Sequence, residues 1–125
     1  KKMLERGSGR IVNIASVLAV RGLWNSVAAC AAQGAVHQLT SALALEWAQS
    51  GVRVNAIAPG WISTNLTAPI QDMPEIADPI LQRTPMGRWG EPEEMIGTAL
   101  FLASSDAAGF ITGVTIPVDG GYCSL

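Results

Sequence analysis

Two short β-branched runs, "GRIVNIAS" at 9–16 and "VRVNAIAPG" at 52–60, are separated by a long stretch that reads as helix. No other feature limits the chain as much. Strands joined by a helical crossover cannot close as a hairpin; they lie parallel in one sheet, covered by helix. A third run, "GVTIPVDGG" at 113–121, follows a second helical stretch, so the order is strand–helix–strand–helix–strand. The expected fold class is α/β, with about three parallel strands and two main helices in a single domain over residues 1–125.

Local signals set the boundaries. Ser26 is placed to N-cap the long helix, and Gly51 to follow its last turn. Val36, Leu39, Leu43 and Trp47 recur at helical spacing and are expected on its buried face. Pro59-Gly60 cuts off the second strand. Four prolines (Pro69, Pro74, Pro79 and Pro85) make 61–90 a loop-rich insert with short helices at most. Pro92 at the first position, then Glu93 and Glu94, opens a helix over 91–105. "KKMLER" reads as the last turns of a helix stopped by Gly7, so the chain is expected to have lost a preceding segment.

Composition excludes several classes. With 49% hydrophobic and 14% charged residues the chain buries a core rather than staying disordered. A net charge of −2, with Lys1 and Lys2 the only lysines, argues against nucleic acid. No apolar run reaches the roughly 20 residues a membrane span needs, and the basic N-terminus has no apolar signal core. Cys30 and Cys123 lack CxxC spacing; reduced thiols in a cytoplasmic protein are expected, with a disulfide left open. His37 has no Cys, Asp or Glu at ligand spacing, so packing or an interface is expected there and no metal. Trp24, Trp47, Trp61 and Trp89 are scattered and read as packing. "NLT" at 65–67 fits a glycosylation acceptor but has no secretory signal to give it meaning.

Four blocks, "GRIVNIAS", "GAVHQLTSALALEWAQSGVRVNAIAPGWISTNLT", "GRWGEPEEMIGTALFLASSDAAGFITG" and "VDGG", together resemble the second half of a classical short-chain dehydrogenase/reductase. The resemblance implies part of a Rossmann-like, doubly wound sheet with NAD or NADP at its switch point. It implies hydride transfer between that cofactor and a small alcohol or carbonyl compound. It also implies a homo-oligomer, dimer or tetramer, because the helices near 26–50 and 92–105 correspond to surfaces relatives use to associate.

The family's chemistry needs a serine at a strand end and a Tyr-x-x-x-Lys pair on the next helix. The phenol is the acid/base, and an ammonium four residues on lowers its pKa from about 10. Ser16 sits where the serine belongs, although by residue type alone it reads as a local cap. The pair is missing. Gln33 stands at the lysine position and Ala29 at the tyrosine position; an equally good alignment deletes the tyrosine between Ala29 and Cys30. Tyr122 is the only tyrosine and lies in the tail. Gln33 can hydrogen-bond a ribose but brings no charge, and nothing nearby in sequence activates Cys30.

On the cofactor side, Pro59, Gly60, Ile62 and Thr64 match the family's "PG-x-I-x-T" segment, which contacts nicotinamide and phosphate. "GSGR" at 7–10 precedes a strand and lacks a third glycine, so it is a helix stop and turn rather than a phosphate loop. Two functions compete. One is an NAD(P)-dependent oxidoreductase of which the chain is part; the other is a non-catalytic oligomerising or binding module. The lost acid/base favours the second for the residues printed. The substrate is not legible, although the "VDGGY" tail and "EWA" helix resemble sugar-acid and polyol dehydrogenases.

Overall fold

The computed structural model describes residues 1–124. A short helix α1 (Lys2–Arg6) ends at Gly7, which adopts φ 67. The strand β1 (Gly9–Ile14) follows, then a 3-10 turn at Val17–Ala19 and the long helix α2 (Val27–Trp47). A second 3-10 turn ends at Gly51 with φ 73. Next come β2 (Val52–Pro59), α3 (Ala68–Gln71), α4 (Pro74–Arg83), a 3-10 turn at Pro92–Met95, and α5 (Ile96–Ala103). The strand β3 (Thr115–Val118) and a 3-10 turn at Tyr122–Ser124 close the chain.

The three strands form one parallel sheet in the order β1-β2-β3. Side-chain alternation along β2 shows that both faces are covered. Val52 and Val54 pack with Ala44, Leu43 and Trp47 of the α2 face, joined by Met3 and Ile11. On the opposite face Arg53 donates to the carbonyls of Leu102, Ser104 and Ile111, at the end of α5 and beyond. Burial and the neighbouring Arg10 push the Arg53 guanidinium pKa down. Asn55, fully buried, donates to Ile111 O and accepts from Val114 N, fastening the approach to β3. A helix on each face of a parallel sheet is the doubly wound arrangement expected.

Several details differ from the sequence reading. The buried face of α2 centres on Thr40 and Ala44, whereas Leu39 is 51% exposed. Thr40 is accommodated because its hydroxyl donates to Val36 O and accepts from Asn13 Nδ2 of β1. Ser26 takes the N-cap position without a capping bond; its hydroxyl donates to Trp24 O instead. The stretch 91–105 opens as 3-10 turn before α5, and Glu91 and Glu94 form a capping box across that turn. The closing strand is shorter than 113–121, and Pro79 lies inside α4.

The two edges of the sheet are unlike. Gly9 N donates to Gly51 O and Ala15 N to Ile57 O, so by the alternation of the ladder Arg10, Val12 and Ile14 turn their backbone groups away from β2. On β3, Ala56 N meets Val114 O and Gly60 N meets Val118 O, which turns Thr115 and Pro117 outward. Pro117 has no N–H to offer there.

Candidate functional site at the carboxyl ends of the strands

In a parallel sheet the loops leaving the carboxyl ends of the strands share one rim, and ligands of open α/β sheets bind along it. Here that rim carries Ser16 after β1, Pro59 to Thr64 after β2, and Asp119 to Cys123 after β3.

Ser16 is half-buried, and its Oγ accepts from Leu18 N, capping the 3-10 turn that packs against α2. Its cap role and its strand-end placement coexist, since the hydroxyl proton remains to be donated. Ala29 lies exposed in the first turns of α2, and Gln33 lies one turn on, half-buried. Gln33 Oε1 is buried without a hydrogen-bond donor. Cys30 is a free thiol on the same helix, and Cys123 is also free. Burial, and secondly Asp119, push the Cys123 thiol pKa up, so it stays protonated. His37 Nδ1 lies 2.9 Å from Thr115 Oγ1, tying α2 to β3.

After β2, Gly60 N bonds Val118 O. A Cβ at Gly60 would come within 2.7 Å of Asp119 Cα, so backbone packing alone demands glycine there. Ile62 forms a bridge with Gly90, and the Trp61 and Ser63 backbones bond Gly90 on either side. Thr64 is exposed, with its N–H held by Thr67 Oγ1. A cleft of about 530 Å³ opens beside this bridge, lined by Trp61, Ile62, Met86, Met95 and Asp119 among others. Arg88 donates both guanidinium nitrogens to Glu94 at 2.8 and 2.7 Å on its rim.

That pair sets an acid limit. The Arg88 guanidinium, then the Glu91 N–H, hold the Glu94 carboxyl at about 2, below its ordinary 4.5. Its contribution is therefore full above pH 4.5 and is lost as pH falls towards 2. Both groups are exposed and salt-screened, so the effect is small. Thermal unfolding of wild type and Glu94→Gln is expected to converge over that acid range. A gap that stays constant would refute the assignment.

Several residues of the rim are not legible in sequence. Trp61 stacks edge-on to Trp89 at 5.6 Å and to Tyr122 at 6.5 Å, and the Arg83 guanidinium lies 4.8 Å over the Tyr122 ring. Trp61 and Trp89 are thus packing residues as expected, but Trp24 is 91% exposed. Arg21 Nη2 donates to Cys123 O at 2.6 Å. Asp119 accepts from Gly121 N and Cys123 N. No spacing rule links these partners, because they meet only when the three strand ends converge.

The residues present fit one end of a dinucleotide. Gln33 has a buried, unpartnered acceptor of the kind a ribose hydroxyl could satisfy, and Trp61 and Ile62 line the cleft at the end of β2. They do not fit a pyrophosphate, because no glycine-rich strand-to-helix turn occurs in residues 1–124. Among the described residues there is no cluster of metal-ligating side chains, and no helix is long and apolar enough to cross a membrane.

A parallel sheet with a helix on each face and its loops gathered at the carboxyl rim is a Rossmann-like arrangement. The chain belongs to the short-chain dehydrogenase/reductase family; a family model described as enoyl-(acyl carrier protein) reductase matches residues 1–123. It is 49% identical over 124 residues to a galactitol 2-dehydrogenase (L-tagatose-forming) of Cereibacter sphaeroides, covering 98% of this chain and 48% of that protein. It is 48% identical to a 2-dehydro-3-deoxy-D-gluconate 5-dehydrogenase of Bacillus subtilis, covering 99% and 48%. A gluconate 5-dehydrogenase of Burkholderia cenocepacia, solved with NADP and tartrate, superposes with TM-score 0.95 at 40% identity, covering 99% and 48%. The chain spans about half the length of the relatives it matches.

Proposed function

We propose that this chain is a short-chain dehydrogenase/reductase that binds small polyols or sugar acids on its carboxyl rim and associates with itself, but does not transfer hydride. The observation that carries this reading is the pair of side chains on α2. Ala29 has no proton to exchange and Gln33 no charge to hold a phenolate. Tyr122 does not substitute: it is 3% exposed, under Arg83 and against Trp61. We place the protein in the cytoplasm with both thiols reduced.

The dinucleotide follows the same logic. With a cleft at the end of β2 but no pyrophosphate turn, NADH and NADPH are expected to bind more weakly than about 10 μM, or −6.8 kcal/mol. Tryptophan fluorescence during titration reads this out directly. Tighter binding would overturn the reading and point to a complete nucleotide pocket.

Self-association is supported by two features. The outward backbone groups of β1 form an open edge, and α2 presents Val27, Leu39 and Leu45 to solvent. Light scattering at micromolar concentration is expected to give a dimer or larger assembly. A well-folded monomer would sink this half of the proposal.

A second reading is favoured by the half-length match to the relatives. In it the chain contributes to an NAD(P)-dependent oxidoreductase whose phosphate-binding strand–helix unit lies against β1. Turnover in the presence of such a unit, and none without it, would distinguish the two.

A further inference from the structure

We infer that β1 pairs antiparallel with the β1 of a second copy, centred on Val12, so that Arg10 of each chain faces Ile14 of the other. This rests on the self-association reading above and gives it a surface, a direction and a register. β1 is an edge of the sheet, and Arg10, Val12 and Ile14 carry its outward backbone groups. The same three residues share one face. Ile11 packs with the α2 side of the core and Asn13 donates to Thr40 of α2. By alternation Arg10, Val12 and Ile14 therefore lie on the opposite side of the sheet. There Arg10 sits beside Arg53 and Val12 beside Asn55, and Ile14 ends the strand 63% exposed.

What completes the ladder selects the occupant. The β3 of another chain would turn Thr115 and Pro117 outward, and Pro117 has no N–H to give. β1 contains no proline, so a second β1 both donates and accepts at every outward residue. A two-fold axis normal to the sheet makes the two strands antiparallel. Outward residues then face outward residues, and each facing pair exchanges both bonds. With Val12 at the centre, Arg10 faces Ile14, Val12 faces Val12 and Ile14 faces Arg10, so every outward group of the strand is used. With Arg10 at the centre, two guanidinium groups would meet beside Arg53. With Ile14 at the centre, that pair alone forms, and the intermediate registers form two pairs. The Val12 register also covers Ile14 with the methylene stem of Arg10, whose charged end stays in water, and brings two β-branched valines together at the axis.

Position 14 reports the register, because it faces Arg10 twice across the axis. Sedimentation equilibrium of the full chain at low and high salt gives the dimer constant of wild type, Ile14→Glu and Ile14→Lys. Both substitutions lose the apolar contact, so the difference between them isolates the charge. At low salt Ile14→Lys is expected to dimerise about tenfold more weakly than Ile14→Glu, with the gap closing as salt rises. Net charge alone gives the reverse order, since the chain carries −2 and lysine relieves repulsion that glutamate increases. In an Arg10→Glu background the order is expected to invert. Val12→Pro takes no bond from the ladder with β2, because the Val12 N–H points outward, and is expected to give a folded monomer by circular dichroism and light scattering. Where the proline unfolds the chain, the comparison at Ile14 decides alone. An equal or reversed order of the two Ile14 variants would overturn this pairing and leave association through α2 standing, as would a Val12→Pro chain that remains dimeric. A monomeric wild type would remove the self-association reading itself, and this pairing with it.

Discussion

Incubated with NAD or NADP and either galactitol or D-gluconate, the purified chain is expected to give no increase in absorbance from reduced nicotinamide. Loss of a positioned acid/base alone slows such reactions by about 10²–10⁴. Here the neighbouring ammonium is missing as well. The double variant Ala29→Tyr and Gln33→Lys tests how much of the silence lies in these two positions. Both occupy the exposed or half-buried first turns of α2, so the larger side chains fit without repacking the core, and their i, i+4 spacing puts them on one face. The variant is nevertheless expected to stay silent on its own, because no glycine-rich strand-to-helix turn that could hold a pyrophosphate occurs among the described residues. A hundredfold gain would show that the two substitutions alone had silenced it.

The second large effect is structural. Gly51→Ala is expected to lower stability by about 3 kcal/mol, of which the left-handed backbone contributes roughly 1–2 and local overpacking the remainder. An added Cβ would lie 2.1 Å from Gly7 O, a backbone atom that cannot swing aside. Gly51 also accepts the first bond of the sheet, from Gly9 N. Gly7→Ala is the control: its φ is 67, but a Cβ there meets nothing within 4 Å, so only the backbone cost applies. Thermal unfolding by circular dichroism should show Gly51→Ala melting roughly 10 °C below wild type, with Gly7→Ala losing about half as much. Equal losses would show that contact with Gly7 is immaterial.

The parts of the fold that follow from local chemistry were legible. β1 and β2 are β-branched runs bounded by glycine and proline, and Gly7 and Gly51 end helices because only glycine takes their positive φ at little cost. The buried face of α2 was legible only in part. Its apolar residues go nearly all round: Leu43 and Trp47 of the expected stripe do pack on the core, but Leu39 is exposed and the most buried positions are Thr40 and Ala44. Thr40 is polar by type and becomes a core residue only through Asn13, which lies far off in sequence. At the candidate site, Ser16 and the Pro59-Gly60 turn could be placed at strand ends from the sequence because they sit in contiguous motifs. Arg21 with Cys123, and Trp61 with Trp89 and Tyr122, were missed because each pair is assembled by convergence of strand ends.

The contrast between Pro117 and the bare backbone of β1 bears on how far assembly can go. Two chains joined along β1 would share one continuous six-stranded layer whose outer margins are both β3. Each margin carries a ring nitrogen where a further strand would look for a donor. Growth on that geometry is self-limiting: it stops at a closed pair instead of running on into a fibre.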